Sequence, residues 1–151
     1  MNKKILILII SILFLCGCNS KEKTIYEYYV TVDDVDIKVD VLYEYLRVSL
    51  NNYNDIKFTA DSDNIVYSYN DIEIETYISD NIEKVKSFWF TTDKYNTNEG
   101  VRIGDSVDKM IYVYGDNYNY NNDVYVYKLN NSSLSFIVEN GIIKGIEYDL
   151  V

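Results

Sequence analysis

The amino-acid sequence predicts an α+β fold. Two helix–β-meander repeats would form an antiparallel sheet with the helices packed on one face. Two apolar patterns with helical spacing predict the helical layer, and alternating patterns joined by turn residues predict the strands. A similar order of helix and strands occurs twice along the chain. These observations predict a two-layer single domain over residues 24–151.

The clearest helix pattern precedes a glycine in the second half of the chain. Asp105 is the predicted N-cap, with Asp108 three residues further on, and Gly115 is the predicted stop. The apolar residues of this helix stand at i, i+3, i+4 and i+7: Val107, Met110, Ile111 and Tyr114. A second helix is predicted over 38–50, with the same spacing in Val39, Leu42, Tyr43 and Leu46.

Strand patterns rich in β-branched and aromatic residues fill most of the remaining chain. Asp33-Asp34 and Asn140-Gly141 are predicted turns, and the second is a strong hairpin signal. A polar irregular stretch is expected up to about Asn64, and a loop over 116–122. The predicted strands are 24–32, 65–69, 72–78, 82–92, 124–129, 134–139 and 142–149.

The end of each meander has a similar sequence, which predicts an internal repeat. VKSFWF (85–90) aligns with IKGIEY (143–148), and the two helix patterns align with each other. We therefore expect repeat one over about 33–92 and repeat two over about 97–151. The predicted core consists of Ile72, Ile74, Ile78, Phe88, Phe90, Leu134, Phe136, Val138, Ile146 and Tyr148, packed on Leu42, Leu46, Met110 and Ile111.

The first residues predict an exported, lipid-anchored protein. Lys3 and Lys4 precede an apolar run that is too short to span a membrane and is typical of a secretory leader. The ending Leu15-Cys16-Gly17-Cys18 resembles the bacterial lipobox. By that resemblance, residues 1–17 are the leader, and Cys18 carries a diacylglycerol anchor in the membrane lipid. Residues 18–23 then form a lipidated tether on the extracytoplasmic face of the cell membrane.

Composition excludes several classes of function. The chain has no histidine, and both cysteines lie at positions 16 and 18, so we expect no cofactor, no disulfide and no metal site based on these residues. The 14 basic residues include two in the leader, which leaves 12 against 24 acidic residues after cleavage. An acidic excess of this size argues against a nucleic-acid partner.

One sequence motif resembles a module of small lipoproteins from Gram-positive bacteria. The residues are V-R-I-G-D-S-V-D-K-M-I-Y-V-Y-G, followed by a meander that ends L-S-F-I-V-E-N-G-I-I-K-G-I-E-Y. The upstream segment ending F-W-F-T-T-D resembles a degenerate first copy. The tandem is similar to the β-lactamase inhibitor protein and to the small lipoprotein of the outer-membrane barrel assembly machinery. That assembly lipoprotein usually has a proline after the helix-ending glycine, where this chain has Asp116.

The candidate contact residues lie on the sheet face opposite the helices. If Phe88 and Phe90 point towards the helices, strand alternation places Trp89 on the other face. Its predicted neighbours there are Glu73, Glu75, Tyr77, Ser133, Ser135 and Glu147. Exposed aromatic residues are typical anchors in interfaces, so the candidate binding residues are Trp89, Tyr77, Glu75 and Glu147. By resemblance, the inhibitor protein uses its sheet face in this way. The alternative is that Trp89 is covered by the N-terminal strand or a loop.

Three hypotheses about function follow. The first is a non-catalytic module that binds an envelope or extracellular protein, or another ligand. The second is an envelope hydrolase with paired carboxylates, a class that spacing alone does not test. The third is a structural or assembly role in the envelope. Calcium binding is a further option, since the acidic loops at 33–36, 61–64 and 116–123 offer oxygen ligands, although none of them has the EF-hand pattern.

Overall fold

A computed structural model describes residues 24–50, 57–61, 64–69 and 71–151. The predicted leader, Cys18 and the tether lie outside the described residues. The fold is α+β, as predicted, and strands predominate. The helices are α1 (Tyr43–Ser49) and α2 (Val107–Tyr114). The strands are β1 (Val30–Val32), β2 (Val35–Ile37), β3 (Lys57–Asp61), β4 (Asn64–Tyr69), β5 (Ile72–Ser79), β6 (Ile82–Phe90), β7 (Asn119–Asn121), β8 (Val124–Leu129), β9 (Ser132–Glu139) and β10 (Ile142–Leu150).

Eight strands form one antiparallel sheet in the order β3-β4-β5-β6-β10-β9-β8-β7. The last strands of the two meanders, β6 and β10, pair at its centre, with Trp89 opposite Glu147 and Phe88 opposite Tyr148. The sheet is therefore continuous from the first meander to the second. Neither helix in the described part of the chain is long and apolar enough to span a membrane.

One row of large side chains crosses the sheet and forms the centre of the core. Consecutive members of this row are Cα partners on neighbouring strands. Most of them are buried, in one cluster with Leu46 of α1 and Met110 of α2. The row is Tyr67, Ile74, Phe88, Tyr148, Leu134 and Tyr127. We call the face that carries it the core face.

The N-terminal segment forms a separate hairpin of β1 and β2. Its turn is at Asp33-Asp34, as predicted, and both residues have positive φ, which suits a tight hairpin turn. Val30, Val32 and Ile37 are buried in the main core cluster. The strand predicted over 24–32 is limited to Val30–Val32, because only these residues have a pairing partner in β2.

The N-cap of helix α2 lies one residue later than predicted. The N-cap is Ser106, whose side chain accepts a hydrogen bond from the backbone N–H of Lys109 at 3.2 Å. Asp105 instead accepts from the backbone N–H of Arg102 at 2.9 Å and from Lys109 Nζ at 2.7 Å. The prediction of Asp105 as N-cap was wrong because its carboxylate stabilises the turn before the helix. Gly115 ends the helix with a φ of +82°.

Helix α1 is shorter than the predicted 38–50. It begins at Tyr43, and the preceding residues pair with β6 instead: Leu42 forms an isolated bridge with Lys84. Val39 and Leu42 therefore do not belong to a helix face, and Leu42 is 50 % exposed. Tyr43 and Leu46 are buried as predicted. Backbone pairing with the sheet decides the start of this helix, over the local spacing of apolar residues.

Two loop predictions and one core prediction also need correction. The stretch expected to be irregular contains β3, and the loop expected at 116–122 contains β7. Both are edge strands whose pairing with a neighbour stabilises an extended conformation that the local residue pattern does not favour. Ile78, a predicted core residue, is 61 % exposed, because it lies near the tip of the β5–β6 hairpin.

Candidate functional site: the outer face of the sheet

The face opposite the core face, which we call the outer face, carries a polar and aromatic row through its centre. This row alternates with the core residues along every strand, so its members point away from the core. Trp89 and Glu147 occupy its centre on β6 and β10. Consecutive members are again Cα partners, and the row is Ser68, Glu73, Trp89, Glu147, Ser135 and Val126.

A second row beside the first adds two carboxylates and a further pair of serines. Glu75, Ser87 and Asp149 are consecutive Cα partners on β5, β6 and β10. The complete row is Val66, Glu75, Ser87, Asp149, Ser133 and Lys128. The centre of the outer face therefore places Trp89 among acidic and hydroxyl side chains on both sides of the β6–β10 seam.

A β-bulge in β6 brings the side chain of Lys86 to this centre. The register skips Lys86, so Glu75 pairs with Ser87 and Thr76 with Val85. Lys86 Nζ lies 3.0 Å from Glu75 Oε1, and Ser87 Oγ donates to Glu75 Oε2 at 3.0 Å. Bulges redirect side chains in this way. Both oxygens of Glu75 are thus engaged within the face.

The two carboxylates of β10 are in a less favourable environment. Burial, followed by the charges of Asp149 and Glu75, raises the pKa of Glu147 above its ordinary value. Burial and the charge of Glu75 also raise the pKa of Asp149, while Lys86 opposes this rise. Within the described residues, no side chain donates a hydrogen bond to either group. Glu147 and Asp149 are therefore half-buried acids without a dedicated donor.

Three serines of the outer face are buried. Ser87 is 2 %, Ser133 6 % and Ser135 8 % exposed. Their side chains are short, so the longer side chains beside them shield them from solvent. Trp89, the one tryptophan of the chain, stays partly exposed among these residues. The exposed part of this tryptophan, beside small polar residues, gives the outer face an aromatic surface.

Tyr77 lies on the outer face but in a different cluster from Trp89. Its hydroxyl donates to Asp40 Oδ1 at 2.9 Å, and Lys84 Nζ lies 2.8 Å from the same oxygen. Hydrogen bonds from Lys84 and Tyr77 lower the pKa of Asp40. Among the predicted site residues, the structure thus brings Trp89, Glu75 and Glu147 together, and it places Tyr77 in a local polar network at the start of β6.

Sequence reasoning did not include Asp149, Lys86 or Ser87 in the site. Alternation along β10 connects Asp149 to Glu147, so that signal was present in the sequence. The position of Lys86 depends on the bulge, and the proximity of Asp149 to Ser87 depends on the pairing of β6 with β10. Neither the bulge nor this pairing has a local sequence signature.

Two features bear on a metal site or an enclosed ligand site in the part of the chain that the structure describes. No group of three or more His, Cys, Asp or Glu residues there is arranged to hold a metal ion. Part of the acidic loop at 61–64 lies outside the described residues. A small apolar cavity lies on the core side, between the N-terminal hairpin and the sheet, lined by Val32, Ile37, Leu50, Tyr69, Ile72 and Tyr95.

Comparison with known proteins gives no further assignment, since no protein-family model, no curated protein and no solved structure matches this chain.

Proposed function

We propose that this protein is a lipid-anchored, extracytoplasmic interaction module without catalytic activity, and that it contacts a protein partner through the outer face of its sheet. The observation that carries this proposal is the row in which Trp89 stands opposite Glu147, away from the core. Aromatic residues surrounded by polar groups are typical anchors of protein interfaces. Trp89, Glu75 and Glu147 are the central contact residues, and Tyr77 is a peripheral one.

The proposed architecture has both helices on the core face, which leaves the outer face open. Two contacts support it. Tyr43 of α1 stacks on Tyr67 with ring centroids 4.1 Å apart, and Tyr114 of α2 packs on Tyr127 at 5.3 Å. Tyr67 and Tyr127 are the two ends of the core row.

We also propose that the two halves are copies of one helix–meander unit. Before each helix, one backbone segment pairs with the start of the last strand of its own meander. Asp40 N–H donates to Val85 O at 2.8 Å, and Gly104 N–H donates to Ile143 O at 2.9 Å. Each of these strands then has a bulge at the next residue, Lys86 in β6 and Lys144 in β10. This correspondence agrees with the alignment of residues 85–90 on residues 143–148.

The resemblance to small lipoproteins remains part of the proposal. The motif from Val101 to Gly115 contains the loop and helix that precede the second meander. The lipobox-like ending at Cys18 would anchor the chain in the outer leaflet of the cell membrane, with residues 18–23 as tether. A tether of this length would hold the domain close to the membrane surface.

Photo-cross-linking in cells tests the proposed contact surface. A photo-reactive amino acid replaces Glu73, beside Trp89 on the outer face, in the full-length lipidated protein. The control replaces Tyr112, which is 81 % exposed on α2. We expect a specific protein product from position 73 and none of the same mass from position 112. If the protein is expressed and anchored but position 73 yields no cross-linked protein, the proposal is contradicted.

A hydrolase is the second candidate, favoured by the clustering of Glu75, Glu147 and Asp149. Carboxyl groups that influence each other's pKa can divide the roles of general acid and base. The test is turnover of cell-wall glycans by the lipidated protein, compared with Glu147→Gln and Asp149→Asn. Turnover that both substitutions abolish would favour the hydrolase. An envelope assembly role, the third hypothesis, would appear as several cross-linked envelope proteins.

A further inference from the structure

The outer face has an unbalanced charge at its centre. Four carboxylates, those of Glu73, Glu75, Glu147 and Asp149, lie in the two rows around Trp89. Lys86, which the bulge of β6 brings to this face, forms an ion pair with Glu75 at 3.0 Å. The chain as a whole has a net charge of −10. The face therefore has an excess of negative charge at the position where the sheet offers its one tryptophan.

The residues beside Trp89 favour a cationic group of a partner at this position. Trp89 has Glu73 on one side and Glu147 on the other as Cα partners. A guanidinium or ammonium group can stack on an indole ring and donate to carboxylates at the same time. An anion would be repelled by four carboxylates, and a purely apolar surface would bury Glu147 and Asp149 without compensation.

We propose that the outer face binds a basic protein segment, with an arginine or lysine side chain placed on Trp89 and held by Glu147 and Asp149. This inference rests on the proposed function and adds the chemistry of the partner. The half-buried carboxylates of β10 lack a donor within the described residues, and a partner cation supplies one. Arginine suits the site best, because its planar fork can stack and donate together.

Tryptophan fluorescence provides a direct readout, because Trp89 is the one tryptophan among 17 tyrosines. The full-length lipidated protein is reconstituted in vesicles of zwitterionic phosphatidylcholine, and an arginine nonapeptide is added while tryptophan is excited selectively. We expect a saturable change in Trp89 emission that weakens as salt is added. A neutral glycine–serine peptide of equal length should produce no change.

Two double variants that remove the same charge distinguish specific binding at the outer face from non-specific electrostatic attraction. Glu147→Gln with Asp149→Asn should weaken peptide binding by about tenfold or more, since two charge-assisted contacts are lost. Asp80→Asn with Asp116→Asn removes the same charge from two exposed positions outside the two rows that contain Trp89, Glu147 and Asp149. This control should change binding by about twofold or less. Equal losses in both double variants would overturn the inference, as would a Trp89 response to calcium or magnesium without a response to peptide.

The two proposals fail in different ways. If position 73 yields a cross-linked protein but the arginine peptide leaves Trp89 unchanged, the outer face is a contact surface and the cationic partner is wrong. If position 73 yields no product, the proposed function fails, whatever the peptide does.

Discussion

Trp89 of β6 and Glu147 of β10 are directly opposed at the seam where the two meanders meet. Each of them stands three residues after a bulged lysine, Lys86 in β6 and Lys144 in β10. The two residues therefore occupy corresponding positions in their own hairpins. One hairpin presents an aromatic ring at this position and the other a carboxylate, so the centre of the outer face is asymmetric.

The raised pKa values of Glu147 and Asp149 predict a specific dependence of stability on pH. A carboxyl whose pKa is higher in the folded state binds more protons there than in the unfolded chain. The free energy of unfolding should therefore fall as pH rises from the ordinary carboxyl pKa through the raised one. Glu147→Gln should raise the free energy of unfolding at neutral pH by about 0.5 kcal/mol and flatten this dependence.

Urea unfolding at several pH values checks this prediction, with Asp80→Asn as the control for an exposed carboxylate. A Glu147→Gln protein that is less stable than the parent at neutral pH would show that Glu147 makes a stabilising contact instead. Gain of stability together with loss of peptide binding would identify Glu147 as a residue that serves binding at the expense of folding.

The hydroxyl of Tyr148 predicts an unusual effect of its removal. It is fully buried, and it has no hydrogen-bond partner within the described residues. Tyr148→Phe should therefore raise the free energy of unfolding by about 1 kcal/mol, because it removes an unsatisfied buried polar group. Its matched control is Tyr127→Phe, which loses a 2.8 Å hydrogen bond to Gly115 O and should lower the free energy of unfolding by about 1 kcal/mol. Thermal unfolding that ranks the two variants in the reverse order would refute this account.

The cap of α2 is expected to depend on Ser106. Ser106→Ala should lower the free energy of unfolding by about 1 kcal/mol, because the N–H of Lys109 loses its acceptor. Ser106→Asp keeps an oxygen acceptor at the same position and should remain close to the parent. Chemical denaturation of both variants measures the difference, and equal losses would indicate that the hydroxyl does not cap the helix.

The residue after the bulge in β10, Gly145, has little room for a side chain. A Cβ on Gly145 would lie 3.0 Å from Cδ1 of Ile137, the far end of a flexible side chain. Gly145→Ala should thus lower the free energy of unfolding by about 1 kcal/mol, the lower end of the range for overpacking. In a double-mutant cycle, Ile137→Ala should recover most of this loss. Strictly additive losses would mean that Ile137 is not the obstacle.

The sequence predicted the features that depend on local pattern. Strict alternation in Ile72–Ser79 and the Asn140-Gly141 turn led to the correct strand and hairpin, and the glycine stop of α2 was also correct. Locally weak elements were missed where pairing decides the structure. The edge strands β3 and β7 and the extended residues before α1 all acquire their conformation from a neighbouring strand.

The candidate site was predictable only within each strand. Alternation placed Trp89 opposite to Phe88 and Phe90, and it connects Glu147 with Asp149. The register that brings Asp149 next to Ser87, and the bulge that directs Lys86 towards Glu75, arise from pairing between strands far apart in sequence. These relationships determine the charge pattern of the outer face, which is why the sequence indicated candidate contact residues but not this charge pattern.

The most direct test of the account is the yield of the cross-link from position 73 in cells when Trp89 is changed. Trp89→Ala should abolish the product, while Tyr112→Ala, which removes an aromatic side chain that is 81 % exposed on α2, should leave the yield unchanged. Circular dichroism of both purified variants confirms that each remains folded. An unchanged yield from a folded Trp89→Ala protein would contradict the outer face as the contact surface.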